Sequence, residues 1–324
     1  MKNKVAIIVP YFGVLPNYFD LWLESARYNK DFDFLIYTDS ADDFLLKKIP
    51  NIYIKKIEFV EFADRIRRLF KFAISLESPY KLCDYRPAYG AALREDLIKY
   101  DFWGYCDVDL IFGDLKIFIT DDILDRNDRI YNLGHFTLFR NIDRMNNFYK
   151  IEHEFKDCFS YKYSYTTAFP TAYDEIGTKY GYGMSTICQR MNVKNYVRLD
   201  FADVLPDKYE FELAYTEGRS IDYFIYQKGK LFGIRNEEKI EFAYVHLQKR
   251  IMLKDQINKD FYYISPRSFR NSREETINDL HSMKEKKLFI KKVVKRKLIS
   301  KVKKIRQGAV IHYINKCFCR INIK

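Results

Sequence analysis

The sequence predicts an α/β fold, a mostly parallel sheet flanked by helices and followed by a basic helical C-terminal tail. Three observations predict it. Short β-branched and aromatic runs alternate with segments of helical periodicity, which is the pattern of parallel strands joined by crossover helices. Several of those runs end in polar residues, as strands do where a parallel sheet meets a ligand crevice. The positive charge is confined to one end: residues 284–324 hold 15 Lys/Arg against one acid, Glu285, while the other 283 residues carry 41 basic and 43 acidic side chains.

Residues 5–9 (VAIIV) are a continuous apolar run, as expected of a central strand covered on both faces, and Pro10-Tyr11 ends it. Residues 16–29 read as a helix with Pro16 at its start and Leu21, Trp22 and Ala26 on one side. Residues 34–37 form a second strand ending at Thr38-Asp39-Ser40, residues 41–48 a short helix and residues 52–57 a third strand. Residues 62–76 have helical spacing, with Ile66, Leu69, Phe70 and Ala73 on one face, and residues 88–100 form a further helix. Next comes the sharpest feature, Phe102-Trp103-Gly104-Tyr105-Cys106-Asp107-Val108-Asp109, followed by Leu110-Ile111-Phe112.

Two carboxylates at the end of a buried strand are costly unless a cation neutralises them. An EF-hand calcium loop is excluded, because its fifth, sixth and twelfth positions would be Ile111, Phe112 and Phe118. Three readings stay open: a divalent metal bridging to a substrate phosphate, an Asp nucleophile with an Asp acid/base two residues on, and a pair that caps a turn. Upstream, Lys81-Leu82-Cys83-Asp84-Tyr85-Arg86 sets two cations and a carboxylate before a helix start, a combination suited to a phosphate or ribose. Residues 130–139 read as a strand pair containing His135.

Downstream, residues 159–175 are rich in Tyr and Thr without helical periodicity, which suits aromatic stacking on a sugar ring. They end at Asp174-Glu175, carboxylates suited to deprotonating an acceptor hydroxyl. Residues 230–234 form a strand, and residues 242–250 a strand that delivers His246, Gln248, Lys249 and Arg250. His246 suits a late Mn²⁺ ligand and Lys249 a diphosphate.

Six cysteines (83, 106, 158, 188, 317, 319) show no CxxC pair and read as free thiols in a reducing compartment. The five-residue apolar run before Pro10 is too short for a signal sequence, so a cytoplasmic protein is expected. In the tail, Ile290, Val294, Leu298, Val302, Ile305 and Ala309 recur at helical spacing among lysines, although Lys291 and Lys301 intrude. That pattern predicts an amphipathic helix on an anionic membrane surface. No nucleic-acid partner is expected, since no RNP motif, zinc finger or helix-turn-helix occurs.

Three motifs in order, K-x-x-D-x-R-P-x-x-G at 81–90, F-W-G-Y-x-D-x-D at 102–109 and H-L-Q-K-R at 246–250, resemble bacterial glycosyltransferases of the capsule and O-antigen type. The similarity covers about residues 4–255 and implies the Rossmann-like GT-A fold. Residues 1–255 would then be the catalytic domain and residues 256–324 a C-terminal helical extension ending in the membrane-associating tail. The resemblance implies that Asp107, Asp109 and His246 bind Mn²⁺ or Mg²⁺ on the diphosphate of a nucleotide-sugar. It also implies that Pro10, Tyr11, Asp39, Lys81, Asp84, Arg86, Asp107 and Lys249 hold the nucleotide-sugar. The acceptor would be a lipid-linked saccharide at the inner membrane face, with Asp174 or Glu175 as base. The late motif lacks the additional Gly or Trp residues of other GT-A families.

Overall fold

The computed structural model describes residues 1–42, 48–216 and 218–306. The core strands are β1 (Val5–Pro10), β2 (Phe32–Thr38), β3 (Ile52–Lys56), β4 (Phe102–Cys106), β5 (Leu110–Phe112), β6 (Arg129–Leu133) and β7 (Phe136–Arg140). A seven-stranded sheet runs β3-β2-β1-β4-β7-β6 and closes on the short strand Asn195–Tyr196. β1 pairs in parallel with β2 and β4, and β2 with β3, whereas β7 is antiparallel to β4 and β6. The fold is therefore α/β with a mostly parallel central sheet flanked by helices.

The two-residue period of β1 sorts its side chains between two cores. Val5, Ile7 and Val9 pack with helix α1 (Phe19–Tyr28), while Ala6 and Ile8 pack with helix α2 (Phe59–Arg67) and with Tyr85 and Tyr89. In α1, Trp22 stacks on Phe19 at 4.9 Å and meets Phe34 and Phe112 edge-on, so one helix face is locked by aromatic contacts.

Two predicted helices differ from the structure. The segment expected to be helical over 62–76 is helical only to Arg67, because the apolar residues beyond it are drawn away. Phe70 packs against Tyr165, Tyr149 and Tyr85, and the Ser75 N–H donates to the Tyr165 carbonyl at 2.7 Å. The helix expected at 88–100 is broken into short turns, Tyr89–Ala92 and Arg94–Leu97. Gly90 sits there because a Cβ would lie 2.4 Å from the Trp103 ring. The helix expected at 41–48 falls largely on residues 43–47, outside the described residues.

The chain adds a second, antiparallel layer after residue 200. Its five-stranded sheet runs Glu238–Phe242, Lys230–Arg235, Tyr223–Gln227, Phe261–Ile264 and Phe269–Arg270. The expected boundary at 255 thus falls within this layer, and the helical extension begins only at Arg273. A three-stranded sheet, Ala202–Asp203, Tyr244–His246 and β5, joins the layers. Its register sets His246 opposite both Asp203 and Leu110, which brings three distant segments side by side.

The helices Arg273–His281 and Met283–Arg306 complete the described chain. The second docks through Lys286 on Glu210 (2.5 Å), Phe289 on Tyr209, and Lys297 on Asp207. No helix among the described residues is long and apolar enough to cross a membrane. Cys83, Cys106, Cys158 and Cys188 are free thiols, and Cys317 and Cys319 lie outside the described residues.

Candidate active site

β1 runs between β2 and β4, so chain order reverses at the β1–β4 pair. Open α/β sheets leave a crevice at such a point, off the carboxyl ends of the strands. Ile8 pairs with Tyr105 and Pro10 with Tyr37, which sets Tyr11, Thr38 and Asp107 along one edge. Asp107, Asp109 and His246 form a group able to hold a metal ion, their ligating atoms all within 4.8 Å of one another. His246 Nε2 lies 3.7 Å from Asp107 Oδ2 and 3.4 Å from Asp109 Oδ1.

The backbone around this group is fixed by specific hydrogen bonds. Trp22 Nε1 donates to the Asp107 carbonyl at 3.1 Å, and the Asp107 N–H to the His135 carbonyl at 3.0 Å. Gln248 and Lys249 both adopt left-handed conformations, with φ of 52° and 56°. Successive non-glycine residues in that region are strained and persist where the surroundings impose them. Here the turn aims the Lys249 N–H at Asp109 Oδ2 (2.6 Å) and the Gln248 amide at Asp203 Oδ1 (2.7 Å).

The electrostatics leave room for a cation. Burial favours the neutral form of Asp109, but His246 and the Lys249 N–H outweigh it and hold the carboxyl down to about 2. Burial would lower His246, yet Asp109, Asp203 and Asp107 push it up to about 10. Burial, reinforced by the His246 charge, lowers His135 to about 3. Five carboxyl groups (Asp107, Asp109, Asp174, Glu175 and Asp203) thus meet one guanidinium and two imidazoles, and burial shifts Asp174 and Glu175 toward their neutral forms. A proton on His246 does the work a divalent ion could do. Two carboxylates and one imidazole suit Mn²⁺ and, with water, Mg²⁺.

Arg86 is the fixed cation of the site. It pairs with Asp107, and its Nη1 donates to Asp174 Oδ2 at 2.9 Å and to the Gly134 carbonyl at 2.7 Å. Asp174 is buried, which pushes its carboxyl up to about 8 against the opposing charge of Arg86. Burial also raises Glu175, which is partly exposed and feels Arg86, Asp107 and His246. Gly134 has no space for a side chain, because a Cβ would meet Glu175 Oε1 at 2.6 Å and Asp174 Oδ2 at 2.7 Å.

Residues 7–273 match the family of unknown function DUF6625. The chain belongs to this family. No curated protein matches it significantly. Among solved structures, this DUF6625 chain is similar to the galactosyltransferase LgtC in complex with donor and acceptor sugar analogs. The two are 13% identical with a TM-score of 0.38, over 74% of this chain and 86% of that one. A likeness that distant carries no argument about function.

The other residues singled out in the sequence of this DUF6625 chain fall in different places. Tyr11 lies close enough to Asp109 for its phenol to be raised by burial and by that charge. Pro10 is half-buried beside it, and exposed Asp39 accepts from the Gly13 N–H at 2.8 Å, tying the loop after β1 to the end of β2. Lys249 is exposed, with Nζ 4.8 Å from the Tyr80 ring.

Lys81 and Asp84 form a buried ion pair at 2.6 Å rather than lining the crevice. Lys81 also donates to the Ser164 and Phe169 carbonyls, while Asp84 accepts from the Thr171 and Tyr173 N–H groups. The pair braces the segment that carries Asp174. Asp84→Ala is therefore expected to cost about 3–5 kcal/mol, since it strands a buried ammonium. Urea unfolding checks this, and a raised donor KM at unchanged stability would contradict it.

The Tyr-rich stretch also differs from expectation. It contains the helix Tyr161–Thr166, and Tyr165 and Tyr173 are fully buried, Tyr165 stacked on Tyr85 at 4.6 Å. Arg250 is a clamp, donating to the carbonyls of Tyr209, Pro266, Leu205, Lys208 and Glu210. The residue that sequence reasoning missed is Asp203, buried and accepting from His246 Nδ1 at 2.8 Å. A carboxylate on the second imidazole nitrogen fixes the ring and leaves Nε2 facing Asp107 and Asp109. Its one signal is an acid inside an apolar run, Phe201-Ala202-Asp203-Val204-Leu205, the same signal that marks Asp107.

Proposed function

We propose that this chain is a metal-dependent glycosyltransferase that moves a sugar from a nucleoside diphosphate-sugar to a hydroxyl of a lipid-linked saccharide. The pathway proposed is capsule, O-antigen or another surface polysaccharide. The observation that carries this reading is the meeting of Asp107, Asp109 and His246 at the strand-order reversal, beside a fixed guanidinium. Asp107, Asp109 and His246 would hold Mn²⁺ or Mg²⁺, which when bound supplies positive charge where the leaving diphosphate becomes more negative. Arg86 keeps Asp107 oriented through their ion pair, and Asp174 anchors Arg86 from behind. Lys249 offers an exposed ammonium at the rim for phosphate oxygens. Pro10, Tyr11 and Asp39 frame the nucleoside end.

Glu175 is the better placed of the two candidate bases. It is partly exposed and its raised pKa suits proton acceptance near neutral pH, while Asp174 is buried and engaged by Arg86. The test is a thermal-shift panel of nucleotide-sugars with and without Mn²⁺, followed by turnover of the best donor. A ligand at 100 times its Kd adds about 2.7 kcal/mol to native stability. Stabilisation by a nucleotide-sugar only when Mn²⁺ is present supports the assignment. No shift across the panel overturns it.

The reading extends to a peripheral site on the inner membrane face. The helix Met283–Arg306 docks through Phe289 and Val293, while Ile290, Val294 and Leu298 stay 48%, 61% and 62% exposed among lysines. Exposed apolar residues beside a cationic face suit an anionic bilayer. The side chains of Val302 and Ile305 in the expected stripe, and Ala309, lie outside what the structure describes. Replacing Ile290, Val294 and Leu298 together by Ser is expected to abolish co-sedimentation with anionic liposomes. Because the sites are exposed, stability should change by no more than about 0.5 kcal/mol per substitution. Liposome binding equal to wild type would remove the membrane role.

A further inference from the structure

We infer that His135, Asp203 and His246 form a second cation site of zinc-type chemistry, which shares His246 with the Asp107–Asp109 site. Three observations support it. His135, in the turn between β6 and β7, is 6% exposed, and its Nε2 has no hydrogen-bond partner. That nitrogen lies 3.8 Å from Asp203 Oδ2, and the His135 and His246 rings are 4.5 Å apart. The ligating atoms of the three residues all fall within 4.8 Å of one another. Ligands about 2.0–2.1 Å from a tetrahedral zinc lie roughly 3.3 Å from each other, so small side-chain movements close the set.

His135 is arranged as a ligand rather than as a core residue. Its Nδ1 contacts the Tyr244 hydroxyl at 3.3 Å, and its ring packs edge-on against Phe201 and Tyr244. Either tautomer leaves Nε2 unmatched, at a cost of about 1–3 kcal/mol for a buried polar atom. With Nδ1–H donated to Tyr244, the Nε2 lone pair points toward Asp203 and His246. Two imidazoles and one carboxylate are a set that zinc favours, with a fourth position left for water. Mg²⁺ and Mn²⁺ favour the oxygen-rich set next door.

The two sites compete through one ring. A neutral imidazole has a single lone pair. A cation on His135 and Asp203 takes His246 Nδ1, which in the empty site donates to Asp203. The remaining proton then sits on Nε2, as a donor to Asp109, and His246 is lost to the Asp107–Asp109 site. Zinc is therefore an antagonist of Mn²⁺ in this protein. The competition rests on the metal-binding role proposed for Asp107, Asp109 and His246. The second site does not.

The test uses the full chain, stripped with chelator and dialysed. Zn²⁺ is titrated calorimetrically, Co²⁺ serves as a spectroscopic probe of tetrahedral geometry, and Mn²⁺ binding is followed by electron paramagnetic resonance. The wild type is expected to bind one Zn²⁺ with a tetrahedral Co²⁺ spectrum, and Zn²⁺ is expected to displace Mn²⁺. His135→Gln should weaken Zn²⁺ at least tenfold and leave Mn²⁺ unchanged, whereas Asp107→Asn should do the reverse. Loss of zinc in Asp107→Asn with retention in His135→Gln overturns the inference, as does a wild type that binds Mn²⁺ but not Zn²⁺. Zinc binding without Mn²⁺ binding supports the second site and removes the competition together with the metal role under the proposed function. Zn²⁺ stoichiometry and the Co²⁺ spectrum are read on the wild type, and circular dichroism of the two variants confirms that each is folded before its zinc affinity is compared.

Discussion

Asp109→Asn should reduce sugar transfer at least 10²–10³-fold, about the effect of removing one preorganised group that acts on developing transition-state charge. The substitution keeps the size of the side chain and an oxygen able to accept from the Lys249 N–H, the bond that sets the turn after the Tyr244–His246 strand. What it removes is the charge, on a carboxylate that His246 and the Lys249 N–H hold down to about 2 and that faces His246 Nε2. The fold should therefore survive, with native circular dichroism and a cooperative melt. The stabilisation by Mn²⁺ should disappear along with turnover. Turnover near wild type, or an undiminished Mn²⁺ shift, would end the assignment of Asp109 as a metal ligand.

Arg86→Met should destabilise the metal-free protein by about 3–5 kcal/mol, the cost of removing one partner from a buried charge network. The side chain is 17% exposed and pairs with two carboxylates from different parts of the chain, Asp107 and Asp174, while donating to the Gly134 carbonyl. Without it, Asp107 loses its guanidinium and keeps only the more distant contact with His246 Nε2 at 3.7 Å, and Asp174 is left buried with Glu175 as neighbour. A Lys substitution should rescue only in part, because a single ammonium lacks the planar fork that reaches both carboxylates. Added Mn²⁺ should raise the melting temperature more in Arg86→Met than in wild type, since the ion meets a larger carboxylate excess. Urea unfolding with and without Mn²⁺ reads both effects. An unchanged midpoint would mean that the guanidinium is solvated and dispensable.

Much of the fold was legible because β1, β2 and β4 are covered on both faces, and full burial writes itself as uninterrupted apolar runs. The carboxylate pair was legible for the converse reason, as charge placed where burial is expected. The break after Arg67 was not. Phe70 carries the same helical spacing whether it continues α2 or turns to join Tyr85, Tyr149 and Tyr165, and only the packing decides. Lys81 and Asp84 misled in a similar way: a Lys–Asp pair three residues apart reads alike whether it greets a phosphate or closes on itself in the core. Asp203 stayed unseen because its partner, His246, is 43 residues away, and the register that joins them belongs to a two-residue strand.

The three-stranded sheet that aligns Asp203, His246 and Leu110 also dictates when the site can exist during synthesis. A nascent chain that has reached residue 200 already holds β1 to β7 and both carboxylates, yet it lacks His246 to set beside them. Pairings of such long sequence separation form slowly, because the chain between them must first be ordered. On the metal role proposed for Asp107, Asp109 and His246, cation affinity would be acquired near the end of folding. A partly made or misfolded chain carries Asp107 and Asp109 without His246, so a cation bound as proposed would report a finished protein.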